Sequence, residues 1–162
     1  MPLEDYERSV LADLQPNAAV SDRAVSVIRD SVRRWALLQL VSLCPLTTRF
    51  LALDGRCESE VDLQLAVGAR PCSIHRWSHA FLVRLSRHAD PFVVDVARFE
   101  LACVAPETAH ALEPGPWSAW IDPGRLVADL LAGRDPRSRD QAAVWLQLRQ
   151  DEGGWHIERC GA

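Results

Sequence analysis

The chain contains no lysine: all 18 of its basic residues are arginine. That absence excludes Schiff-base chemistry on a lysine amine. It also excludes the phosphate loop of the P-loop nucleotide hydrolases, which depends on its lysine. Glycine is sparse, eight in 162 residues and scattered, too few for a glycine-rich dinucleotide fingerprint. No run of about 18 apolar residues occurs, so no membrane span is expected. No Gly-x-Ser-x-Gly turn is present to expose a nucleophilic serine. Positive charge is in deficit, 18 basic against 22 acidic residues, which argues against general binding to nucleic acid. The five cysteines, Cys44, Cys57, Cys72, Cys103 and Cys160, are odd in number and show no paired spacing. A secreted disulfide framework is therefore not expected. The first residues carry neither a basic region nor an apolar one of the secretory type. The expectation is a cytoplasmic protein with reduced thiols.

What is present is ordinary globular composition, 48% apolar and 25% charged. Apolar residues recur at helical spacing through most of the chain. Leu3, Tyr6, Val10, Leu11 and Leu14 predict a short helix over 3–14, ended at Pro16. Ser21 and Asp22 read as cap and first turn of a long helix over 22–43, with a stripe of Val25, Ile28, Val32, Trp35, Ala36, Gln39 and Leu43. Apolar residues on more than one side of it predict a central position. Pro45 opens a helix through Leu46, Phe50, Leu51 and Leu53, and 58–67 fits either a helix or a strand, with helix favoured. Residues 73–88 form a helix with Ile74, Trp77, Phe81, Leu82 and Leu85 inward. Asp90-Pro91 then starts a helix striped by Phe92, Val96, Phe99 and Cys103.

Pro106, Pro114, Pro116 and Pro123 mark 106–124 as a connector holding a short extended segment over 117–121, followed by a helix over 123–132 that Gly133 ends. The period then changes to two. Val144, Leu146 and Leu148 alternate with Trp145, Gln147 and Arg149, and Asp151-Glu152-Gly153-Gly154 is turn chemistry. Trp155, Ile157 and Arg159 alternate again, which predicts a hairpin. The fold class is mainly α: a helical body over 1–108, then a small C-terminal α+β module with a β-hairpin over 117–162.

Residues that could carry chemistry are few. Cys72, His75 and His79 have ligand-like spacing, with the two histidines one turn apart on a helix. No acidic residue stands between them as a metalloprotease requires, so they compete with plain surface or core-edge roles. Cys103, on an amphipathic face, is read as buried and inert, and Cys160 as accessible near an end. Asp95 and Glu100 lie five apart and do not share a helix face, so paired acid–base catalysis has no support. Trp117, Trp120, Trp145 and Trp155 crowd the last third. They either fill a small core or line a partner groove. A hairpin with an open edge is a template for strand addition by a peptide.

The stretch FLVRLSRHADPFVVDVARFELA, residues 81–102, resembles the helical partner proteins encoded beside TIM-barrel multinuclear non-heme iron oxidases. Pro91, Phe92, Val93, Asp95, Val96, Ala97, Arg98, Phe99 and Glu100 match that family's pattern position by position, and Pro45 to Leu51 is similar to its preceding helix. The resemblance implies a non-catalytic subunit of a heterodimer in the biosynthesis of ribosomally made, modified peptides, of the methanobactin or thiaglutamate type. The oxidase would hold the iron and oxidise a peptide cysteine. The partner, with no cofactor of its own, would support the barrel and recruit the precursor peptide. On that reading Asp95, Arg98 and Glu100 form ion pairs at the barrel interface or within the helical body. Peptide contact falls to Val144, Trp145, Leu146, Gln147, Leu148, Arg149, Trp155, Ile157 and Arg159. Two other readings stand beside it: a helical regulator using Arg29, Arg33 and Arg34, and a small metal-binding protein using Cys72, His75 and His79.

Overall fold

The computed structural model describes residues 22–67, 73–137 and 143–160. The chain is mainly α with a small C-terminal antiparallel sheet. Seven helices are present among the described residues: α1 (Asp22–Leu43), α2 (Pro45–Leu53), α3 (Cys57–Val67), α4 (Ile74–Leu85), α5 (Pro91–Val104), α6 (Pro106–Leu112) and α7 (Pro123–Leu131). The strands are β1 (Trp117–Ala119), β2 (Val144–Asp151) and β3 (Gly154–Cys160), in the order β1-β2-β3. No single described helix is long and apolar enough to cross a membrane.

Two units divide the chain, Met1–Ala36 and Leu37–Ala162. In the first, the described part is the N-terminal portion of α1; the helix expected over 3–14 lies outside the described residues. Val25, Val27, Ile28, Val32 and Trp35 are exposed there, and Ala36 is buried. Ser31 donates its hydroxyl to the Val27 carbonyl, and Arg33 pairs with Asp30 at 3.8 Å.

The second unit contains the remaining helices and the sheet together. Its core is built from Leu40, Phe50, Leu51, Val61, Trp77, Phe81, Leu82, Leu85, Val93, Val96 and Leu101, all buried. Proline at the first helical position starts α2, α5, α6 and α7, where its missing N–H costs nothing and its fixed φ favours the helix. Pro106, read from sequence as the start of a connector, does two jobs: α5 ends before it and α6 begins on it. Asp90 caps α5 by accepting from the Phe92 amide at 3.0 Å, and Asp122 caps α7 through the Arg125 amide.

The hairpin turns on Glu152-Gly153, with Asp151 opposite Gly154. Gly154 has φ +113°, a conformation that side-chain-bearing residues rarely take. A hairpin alone is marginal. Here β1 adds a third strand, pairing Trp117 with Leu146 and Ala119 with Val144. Trp117, Ala119, Leu146 and Leu148 then pack with Ala102 of α5 into a second buried cluster, against which Ala109, Val144, Trp155 and Ile157 rest.

Candidate functional site

Antiparallel register sorts the sheet into two faces, because side chains of paired residues point the same way. Leu146 stands opposite Trp117 and Arg159, and Leu148 opposite Ile157, on the face toward the helices. Trp145 stands opposite Ser118 and Cys160, Gln147 opposite Glu158, and Arg149 opposite His156, on the outer face. The residues expected to touch a peptide therefore divide. Leu146 and Leu148 are buried and hold the sheet to the body, so their side chains are withdrawn from any ligand laid on the sheet. Trp155 rests on His110 of α6, ring centroids 5.2 Å apart. Val144 and Ile157 pack against the same cluster. Arg159 forms an ion pair with Asp122, the cap of α7. Trp145, Gln147 and Arg149 are left for the outer face, with Trp145 49% exposed.

That outer face is otherwise polar and internally paired. Arg149 approaches Glu158 at 3.5 Å, and His156 lies between Asp151 at 3.4 Å and Glu158 at 3.1 Å. Among the described residues nothing pairs with the outer side of β3, which makes it an edge strand seven residues long.

The carboxylates expected at a barrel interface or within the helical body are both buried. Asp95 is 4% exposed and Glu100 2% exposed. Glu100 reaches from α5 to the start of α2 and accepts from the Leu46 and Thr47 amides, each at 2.8 Å. Pro45 leaves these as the first free N–H groups of α2, and its own cap position, Cys44, offers no side-chain acceptor. Glu100 is thus a cap supplied from another helix. Asp95 accepts from the Trp120 and Ile121 amides and ties the segment after β1 to α5. Both are internal anchors within the helical body. Arg98 is half-exposed and pairs with Glu113 at 3.2 Å.

Burial holds both carboxyls above their ordinary range. For Asp95 it outweighs the two amide donors and Arg98 and pushes the pKa up to about 6. For Glu100 it outweighs its Thr47 and Leu46 donors. Burial, then the nearby Glu100 charge, pushes the Cys44 thiol up to about 12, which leaves it a poor nucleophile. Cys103 is exposed, not buried as its helical position suggested, because α5 turns Val93, Ala97, Glu100 and Leu101 inward instead of Phe92, Phe99 and Cys103.

Of the ligand-like trio, Cys72 lies outside the described residues, His75 is exposed and His79 is half-buried. Among the described residues, no group of three or more His, Cys, Asp or Glu is arranged to hold a metal. No family model, curated protein or solved structure matches the chain.

Proposed function

We propose that the chain is a non-catalytic partner subunit of a TIM-barrel multinuclear non-heme iron oxidase in the cytoplasm, and that it recruits the ribosomal precursor peptide whose cysteine the oxidase modifies. The observation that carries this reading is the edge of β3, unpaired among the described residues, on a sheet seated firmly on helices. A peptide laid along β3 would extend the sheet by main-chain hydrogen bonds, with sequence preference supplied by side chains reaching its alternate residues. On the outer face His156, Glu158 and Cys160 of β3 would flank such a peptide, with Trp145, Gln147 and Arg149 of β2 one strand further in. Val144, Leu146, Leu148, Trp155 and Ile157 contribute by holding the platform rigid, and Arg159 by fixing β3 to α7. The iron belongs to the oxidase on this reading. The resemblance of residues 81–102 to the partner family supports the heterodimer. Anchoring by Asp95 and Glu100 explains why that stretch needs acids at those positions even though they face inward.

The test is co-expression of the full chain with a TIM-barrel protein encoded beside it and that system's precursor peptide. Peptide modification should slow at least about tenfold without this chain, equivalent to about 1.4 kcal/mol of lost binding or positioning. Saturating peptide should protect the amides of 154–160 from hydrogen exchange. A barrel protein that is iron-loaded and fully active alone, or β3 amides that exchange equally fast with peptide bound, would sink the reading.

A further inference from the structure

A small cleft of about 80 Å³ opens where α4, α5, α6 and the sheet meet. Its apolar walls are Leu101 of α5, Ala109 and Leu112 of α6, Trp117 of β1 and Leu148 of β2. Arg87, Arg98 and Glu113 also line it. Arg98 is engaged by Glu113 at 3.2 Å. Arg87 is exposed, and its guanidinium makes no hydrogen bond or ion pair among the described residues. The carbonyls at the end of α4 do not compete for it. Leu82, Val83, Arg84 and Leu85 accept instead from the Ser86 amide, the Ser86 hydroxyl, the Arg87 amide and the His88 amide. Arg98 is balanced by Glu113 and by Asp95 on its own helix, which leaves Arg87 as the guanidinium beside the pocket that could meet a ligand.

We infer that this cleft is a binding site for a small apolar monocarboxylate: an aliphatic or aromatic group against the exposed Leu112, over a floor of the buried Leu101, Trp117 and Leu148, with its carboxylate on Arg87. A guanidinium paired with a carboxylate makes a charge-assisted hydrogen bond, stronger than its neutral counterpart. Glu113 sets the limit of one negative charge, because a second carboxylate would meet it. Trp117 is 6% exposed, and its indole N–H is buried without an acceptor among the described residues. A buried donor left unpaired is unusual in a folded chain. It marks this wall as incomplete and makes Trp117 a reporter for the site. The inference does not depend on the iron-oxidase reading, since it uses neither β3 nor a barrel. The same chemistry is available from a free acid or from a peptide carrying an apolar residue next to a glutamate.

Titration of the full chain with N-acetyl-leucine, followed by the Trp117 indole N–H resonance, tests it. The resonance is assigned by its loss in Trp117→Phe. N-acetyl-leucinamide serves as the uncharged control. The acid should shift the resonance saturably and bind at least about tenfold more tightly than the amide. Arg87→Gln should erase that preference while leaving the thermal midpoint unchanged, and Arg87→Lys should keep most of it. A short peptide with an internal Leu-Glu that binds more tightly than N-acetyl-leucine supports the site with a peptide as its source; weaker binding supports it with a free acid. Equal binding of acid and amide, no shift at Trp117, or a preference that survives Arg87→Gln overturns the inference. Full activity of a barrel oxidase alone would leave it standing.

Discussion

Asp95 and Glu100 show how a buried carboxylate organises a small helical protein. Each takes two backbone amides from a different element, which offsets the cost of burying a charge. The compensation is incomplete at Asp95, whose pKa is about 6 instead of 3.8. Between those values the folded state binds more protons than the unfolded one. Stability from this group is therefore present at low pH and lost as pH rises through the window. Asp95→Asn keeps an acceptor for Trp120 and Ile121 and removes the titration. Its thermal midpoint relative to the parent should improve as pH rises from about 4 to 6. A difference that stays constant over that range would show that Asp95 does not titrate there. Asp54 works in the opposite sense. The Arg137 hydrogen bond, opposed by burial and aided by Arg56, holds its carboxyl below the usual range, so its contribution is lost as pH falls.

At the scale of elements, the ends of helices are specified more firmly than their faces. Helix α7 closes with a paired-bond C-cap: the Gly133 amide donates to the Leu130 carbonyl, and the Arg134 amide to the Asp129 carbonyl at 2.8 Å. Gly133 takes φ +65° to allow this, and the Arg134 side chain then binds the Asp129 carboxylate. Nothing lies within 4 Å of a Cβ added there, so the cost of Gly133→Ala is backbone strain alone. It should lower stability by about 1 kcal/mol in urea unfolding; an unchanged midpoint would contradict the cap. Both Gly133 and Pro123 were legible as helix punctuation, as were Asp90 and Pro91. Helix α6 was not, because a run with four prolines over 106–124 reads as a connector. The Pro-Glu-Thr-Ala start at 106 was the signal available, a proline at the first position with an acid in the first turn.

Over the whole molecule, the helices of the second unit and the sheet share buried contacts instead of forming separate bodies. Ala102 of α5 packs with Trp117, Leu146 and Leu148. Arg137 lies over the Phe50 ring at 5.0 Å and binds Asp54 and Asp135, tying the loop after α7 to α2. Leu146→Ala should cost about 2–5 kcal/mol. It should lower the opening energy of slow-exchanging amides in α5 and β2 together, as measured by native-state hydrogen exchange. Loss confined to β2 would mean that the sheet unfolds on its own.

Local rules determined the parts of this protein that depend on neighbours in sequence: a mainly helical chain, its proline and aspartate starts, and a two-residue turn between alternating strands. These follow from φ restriction, capping and period, which a few adjacent residues set by themselves. The absence of lysine likewise excludes its chemistry whatever the fold. Only the tertiary structure decided which candidate side chains are buried and which are exposed. Spacing placed Asp95 and Glu100 on α5, but the amides they accept from lie 25 and 53 residues away. Alternation paired Leu146 with Leu148, but packing against α5 turned that face inward and left Trp145 outside. The cleft beside Arg87 is a product of three helices and two strands, and no local pattern encodes it. Long-range packing assigns each side chain to core or surface, and the site is made by that assignment.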